Sequence, residues 1–222
     1  MKWQRIIFSV LAAGALIWNA AFLPDGVAAD ARTGLPREQA VKYVALTFDD
    51  GPRADTTPRL LDGLHQRGVH ATFFLIGNQI EPNAALVRRM QAEGNQVGNH
   101  TWSHKKLQGE PDAVVSSEIG RTDKALRKVL GEGEYWVRPP YGLLDSRQQR
   151  LFSVPLVRWS VDPKDWKRRN VNGDVEAVVR NVKSGDIVLM HDSFRPSVTA
   201  ALRIVDTLQA RGYRFLTVSE LL

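Results

Sequence analysis

Apolar, β-branched stretches alternate along the chain with stretches whose apolar residues recur at helical spacing. Strand-like patterns cover residues 43–48, 71–76, 95–99, 135–137, 156–161, 187–190 and 214–218. Helix-like patterns fill the gaps at 57–67, 84–93, 113–130, 146–152, 175–183 and 197–211. Gly68, Gly94 and Gly212 fall where helices should stop. Strand–helix alternation predicts parallel strands joined by crossover helices. Seven strands in about 180 residues fall short of an eight-stranded barrel, which takes about 250. The expected fold is therefore α/β, a distorted, incomplete (β/α) barrel of about seven parallel strands. An open doubly wound sheet is the alternative. No internal repeat and no second domain boundary are evident.

The first 29 residues break this rhythm. Lys2 and Arg5 precede an apolar run over 6–23, and Val27-Ala28-Ala29 supplies a small-residue site. This order reads as a secretory signal cleaved after Ala29. An uncleaved anchor through 6–23 is the other reading. Either exports the rest, with 30–40 as a linker and 41–222 as the domain, so a secreted or cell-surface location is expected. Hydrophobic residues at 43% and charged residues at 24% exclude a disordered tail, a collagenous fibre and a multi-span membrane protein. The chain has no cysteine, so disulfides, thiolate metal sites and cysteine nucleophiles are excluded. Any metal must sit on His, Asp or Glu. The net charge of +6 reads as spread along the chain, without the Lys/Arg block of a nucleic-acid arm. Nothing implies a nucleic acid or a protein partner, and a monomer is expected.

Polar clusters close five of the seven strand patterns. They are Thr47-Phe48-Asp49-Asp50-Gly51-Pro52, Asn99-His100-Thr101-Trp102-Ser103-His104, Arg138-Pro139-Pro140-Tyr141-Gly142, Asp162-Pro163-Lys164-Asp165-Trp166 and Leu189-Met190-His191-Asp192. In parallel α/β folds that end of the strands carries the active site. Side chains alternate faces along a strand. Asp49 should therefore share a face with Ala45 and Thr47, and His191 with Leu189. Asp162 should share one with Ser160, opposite Trp159 and Val161. Parity can then bring Asp49, Asp162 and His191 to one opening. Gly51-Pro52 should bend the chain so that Asp49 and Asp50 reach one centre. Two adjacent carboxylates repel unless a cation stands between them. His100 and His104 lie four apart, in a loop or a first helical turn. Two neutral imidazoles and one carboxylate form a three-ligand set with open positions. Taken singly, these clusters also read as an Asp-rich turn and as two surface histidines. His65 and His70 read as structural.

Taken together, T-F-D-D-G-P, H-T-W-S-H, R-P-P-Y-G, D-P-K-D-W and L-M-H, in this order, resemble the five motifs of the polysaccharide deacetylases. This is the NodB homology domain of carbohydrate esterase family 4, and the resemblance covers roughly 41–222. It implies a distorted (β/α) barrel, one divalent metal ion and hydrolysis of N-acetyl groups on polymeric amino sugars. By resemblance, Asp50, His100 and His104 are the metal ligands, with zinc the first choice and cobalt or manganese able to substitute. Asp49 resembles the catalytic base and His191 the catalytic acid, with Asp165 its partner. Arg138 resembles the arginine that steadies the carboxylates, and Asp162 is assigned to support Arg138. The Tyr141 backbone N–H resembles the oxyanion donor, beside Pro140 on the substrate-binding side. Trp166 and Leu189 resemble the walls around the acetyl methyl. The expected substrate is peptidoglycan or a chitin-like N-acetylglucosamine glycan. An O-acetyl (xylan) esterase and a non-catalytic glycan-binding domain are the alternatives.

Overall fold

A computed structural model describes residues 41–222; the predicted signal and linker lie outside the described residues. Five parallel strands form one sheet: β1 (Lys42–Asp49), β2 (Thr72–Leu75), β3 (Gln96–Asn99), β4 (Asp186–His191) and β5 (Tyr213–Leu216). The order is β3-β2-β1-β4, with β5 also pairing β1. β1 is the hub. It pairs with β5 through Lys42–Ala45 and with β2 through Thr47–Asp49, while β4 follows it from Val44 to Asp49. Asp49 thereby stands directly across from His191.

The larger helices match their predicted positions: α1 (Thr57–Gln66), α3 (Ala84–Ala92), α4 (Asp112–Leu130), α6 (Val171–Asn181) and α7 (Arg195–Ala210). α6 starts earlier than expected because Asn170 caps it, its side chain accepting from Gly173 N at 3.0 Å. Three short helices escape the periodicity: α2 (Gly77–Ile80), α5 (Asp165–Arg168) and α8 (Val218–Leu221). A single turn is too short to show a period of 3.6. The helix expected at 146–152 shrinks to a 3-10 turn, Gln148–Leu151. Gly68 and Gly94 end their helices at φ 60° and 81°, as predicted.

The strands expected at 135–137 and 156–161 do not form ladders. Single bridges join Asn99 to Val137, Val137 to Leu156 and Val161 to Val188. These segments run from β3 round towards β4 without continuous pairing. Part of the cause is local: the Arg158 carbonyl accepts from the buried Arg138 Nη2 at 3.3 Å. Expected parity fails there too. Trp159 turns to the cavity, and Ser160 turns outward to Asp186 Oδ1 at 2.8 Å.

On β1 and β4 parity holds. Val44, Leu46 and Phe48 enter the main core with Met190, Leu60, Leu64, Ile204 and Leu208. Phe48 stacks on Phe73 with ring centroids 5.3 Å apart. Fully burying such a side chain stabilises the fold by about 1.5–3 kcal/mol. The opposite face of β1 carries Ala45, Thr47 and Asp49, and the small residues leave room for buried polar groups. Thr47 Oγ1 donates to Val188 O at 2.7 Å. Among the described residues, no helix is long and apolar enough to cross a membrane.

Candidate active site

At the C-terminal ends of the strands lies a cavity of about 380 Å³, lined by Asp49, Asp50, His100, His104, Tyr141, Trp159, Asp162, Trp166, Leu189 and His191. All but Trp159 were expected at one site from their motifs. A wider groove of about 700 Å³ lies along α4 near Trp102. Its acids, Glu81 and Glu132, are engaged by Lys128 and Arg127, which leaves no free base there.

The chain bends at Asp50 itself, which takes φ 74°. Aspartate tolerates the left-handed region better than most residues. Gly51 is required by space: a Cβ there would lie 2.5 Å from the Asp192 carboxylate. The bend brings Asp50 Oδ1 to 3.2 Å from His104 Nε2 and 3.6 Å from His100 Nε2. One donor atom from each residue lies within 4.8 Å of the others. His100 Nδ1 is 2.7 Å from Arg138 O. That contact requires Nδ1 to carry the hydrogen, so the Nε2 lone pair faces Asp50. Burial lowers the pKa of His104, against the opposing charge of Asp50. A low pKa favours the neutral ring that a metal needs. Asp50 Oδ1 is buried with no hydrogen-bond partner. An orphaned carboxylate oxygen facing two imidazole nitrogens is a donor set that fits a cation. Bonds of about 2.1 Å at tetrahedral angles would set ligand atoms about 3.4 Å apart, close to the distances seen.

The loop carrying both histidines is held from behind. Asn99 Oδ1 accepts from Thr101 N at 2.9 Å, and its Nδ2 donates to Ile119 O at 3.0 Å. The buried Glu118 of α4 accepts from Ser103 N and Ser103 Oγ, both at 2.9 Å. This clamp stabilises a loop in which Thr101 and His104 take φ 66° and 59°. Glu118 was not among the expected residues. Its sequence signal is an acid on the inward stripe of α4, between Val115 and Thr122.

Two further pairs complete the cavity. The buried Arg138 donates from Nη1 to Asp49 Oδ1 at 2.9 Å and to Thr47 Oγ1 at 2.7 Å. Burial draws its pKa down, and the Asp49 charge opposes this. Its guanidinium stacks on Phe74, 4.2 Å from the ring centre. The buried Asp165 grips His191 twice, with Oδ1 2.8 Å from Nδ1 and Oδ2 accepting from the backbone N at 2.9 Å. Burial alone would lower the His191 pKa. The hydrogen bond and charge of Asp165, with the charges of Asp49 and Asp50, outweigh burial and raise it to about 9. The expected support of Arg138 by Asp162 is not formed. The Arg138 bonds go to Thr47, Asp49 and Arg158 O, whereas Asp162 Oδ1 accepts from Lys164 N at 2.7 Å. Pro140 is buried, and Tyr141 at φ 62° sets its ring edge-on to His104, 5.0 Å between centroids. Trp166 is 47% exposed at the mouth, and Leu189 is buried.

A parallel α/β sheet with an Asp–His–His group, an Arg-held carboxylate and an Asp-held histidine at its C-terminal edge defines a class. The family model for polysaccharide deacetylases matches residues 37–153, and the chain belongs to that family. Among curated relatives, the peptidoglycan-N-acetylglucosamine deacetylase PgdA of Listeria monocytogenes is 36% identical over 203 residues, 91% of this chain and 43% of its own. The solved peptidoglycan deacetylase PdaC of Bacillus subtilis superposes with a TM-score of 0.80 at 38% identity, over 82% of this chain and 90% of that one. A family 4 acetyl xylan esterase from Clostridium thermocellum, solved in complex with a cobalt ion, gives 0.77 at 33% identity, over 81% and 90%. The chain spans about two fifths of the length of PgdA and PdaC as full proteins.

Proposed function

We propose that this protein is a metal-dependent hydrolase that removes N-acetyl groups from amino-sugar polymers, releasing acetate and a free amine. The observation that carries this reading is one cavity holding an orphaned Asp–His–His donor set, an Arg-held carboxylate and a cationic histidine. Asp50, His100 and His104 hold one divalent cation, zinc in the first place, with cobalt or manganese able to substitute. Such a cation, when bound, polarises the acetyl carbonyl and lowers the pKa of water from 15.7 towards about 7.

Asp49 takes the proton of the attacking water. Arg138 holds Asp49 in place and aimed into the cavity. The Tyr141 N–H donates to the developing oxyanion. His191 Nε2–H delivers a proton to the departing amine, and Asp165 keeps that ring charged and oriented. Trp166 and Leu189 wall the acetyl methyl. Among the described residues, no serine or cysteine lines the cavity, so direct attack by water fits better than an acyl-enzyme. The substrate is a cell-wall peptidoglycan or a chitin-like N-acetylglucosamine glycan, reached by export through residues 1–29 or by anchoring through 6–23.

An O-acetyl esterase is the second reading, favoured by the likeness to the acetyl xylan esterase. A strongly held cationic histidine argues for the amide, because an amine leaves far less readily than an alcohol. The test is acetate release from N-acetylglucosamine oligomers and from acetylated xylan. Chelation should abolish release from the amide and zinc should restore it. Full activity in metal-stripped protein would refute the metal, and release from xylan alone would turn the assignment to the ester.

A further inference from the structure

We propose that residues 158–169 form a basic lip on the catalytic mouth, and that this lip selects amino-sugar glycans bearing carboxylates over neutral ones. The inference rests on the deacetylase reading and deepens it. The positive charge is less evenly spread than the sequence pattern suggests: Arg158, Lys164, Lys167, Arg168 and Arg169 fall within this one stretch. Its two acids are committed elsewhere. Asp165 is buried against His191, and Asp162 accepts from the backbone of Lys164. Arg168 is also committed, donating to Gly173 O at 2.8 Å and lying 3.9 Å from Asp174. Lys164, Lys167 and Arg169 are exposed and make no ion pair among the described residues.

The stretch adjoins the site directly. Asp162 and Trp166 line the cavity, and each of the three exposed cations lies within three residues of Trp166 along the chain. Lys164 and Arg169 bracket α5 at φ 59° and 48°, in the left-handed region where glycine would be unstrained. Both ends of this one-turn helix thus carry a cation in a conformation that disfavours any side chain. The Arg169 guanidinium is braced over Phe194, 4.2 Å from the ring centre.

Charge at the rim of a cleft acts within a Debye length, about 8 Å at physiological ionic strength. It can therefore read only groups attached to the reacting sugar or its neighbours. The half-exposed Trp166 beside the cations offers an apolar face to a sugar ring. A sugar-facing aromatic flanked by lysines fits a glycan whose substituents carry carboxylates, as the peptide-bearing strands of peptidoglycan do. A chitin oligomer presents no such charge.

The test compares a neutral N-acetylglucosamine oligomer with a soluble peptidoglycan fragment that retains its peptide carboxylates. The variant combines Lys164→Gly, Lys167→Gln and Arg169→Gly; the two glycines relieve backbone strain and so protect folding. The variant should raise KM for the peptidoglycan fragment about tenfold, the scale of three exposed ion pairs, with kcat preserved. The neutral oligomer should change less than twofold. Raising ionic strength should raise KM for the fragment in the parent protein and not in the variant. Calorimetric binding of the same two glycans reads the lip even if neither is deacetylated, so failure of the deacetylase reading stays separable. Equal effects on both glycans, or none on the charged one, would overturn the lip.

Discussion

His191 is gripped by a single carboxylate through two different atoms, its ring Nδ1 and its own backbone N–H. The arrangement fixes orientation and charge together. Because the pKa is raised to about 9 from an ordinary 6.5, the ionised pair contributes stability that is fully present below about pH 6.5. That contribution is lost as pH rises through about 9. The same proton serves the proposed reaction, so kcat/KM on an amide should fall on the alkaline side near that pH. Asp165→Asn removes the main charge that raises the pKa and should move this limb to lower pH. His191→Ala should cost about 10²–10⁴-fold on an N-acetylglucosamine oligomer. An activated aryl acetate, whose leaving group needs little acid help, should lose far less, with metal content unchanged. Equal losses on both substrates would assign His191 a structural role.

At the scale of the element, α4 reaches the site without lining it. Glu118 holds Ser103, which lies between the two ligand histidines, by two hydrogen bonds. Glu118→Gln removes the charge and one of the two acceptor oxygens, so Ser103 N and Ser103 Oγ can no longer both donate to it. Groups that orient metal ligands typically contribute about 10–100-fold to affinity, and the lower end is expected here. Competition with a chromophoric chelator should show zinc affinity falling about tenfold, and less in Ser103→Ala, which removes only the hydroxyl contact. Unchanged affinity in Glu118→Gln would remove α4 from the metal site. Glu118 also marks where reading the sequence stopped. Asp49, Asp50, His100, His104, Arg138, Asp165 and His191 were legible because each sits in a motif at a strand end. Strand parity correctly sent Asp49 and His191 to the cavity. It failed at 156–161 because parity presumes a continuous ladder, and there the Arg158 carbonyl turns to a buried side chain. Trp159 was therefore placed on the wrong face, while the partner given to Asp162 came from the resemblance and is not met. Glu118 acts through a loop 15 residues away, a contact that only the packing of α4 reveals.

For the whole molecule, the three donor residues come from two places in the sheet. Asp50 follows β1, His100 and His104 follow β3, and β2 runs between those strands. A cation there would cross-link the two loops directly, and no such site exists in the unfolded chain. Binding should therefore raise thermal stability by mass action. At free metal about 100 times the Kd, the gain is about 2.7 kcal/mol. A domain of this size shifts its Tm by about 2–4 °C per kcal/mol, so zinc should raise Tm by about 5–10 °C. The two adjacent aspartates should then separate. Asp50→Asn removes a charged ligand and should abolish the zinc-induced rise. Asp49→Asn keeps an oxygen for Arg138 and all three donor residues, so its zinc-induced rise should persist while turnover is lost. Each increment is measured against the same variant without metal, which removes any change in baseline stability. The reverse pattern, a rise in Asp50→Asn and none in Asp49→Asn, would exchange base and ligand. The distances argue against that exchange: Asp50 Oδ1 lies near both imidazoles, 3.2 Å from His104 Nε2 and 3.6 Å from His100 Nε2, whereas Asp49 offers Oδ2 to His100 at 3.6 Å and gives its Oδ1 to Arg138 at 2.9 Å.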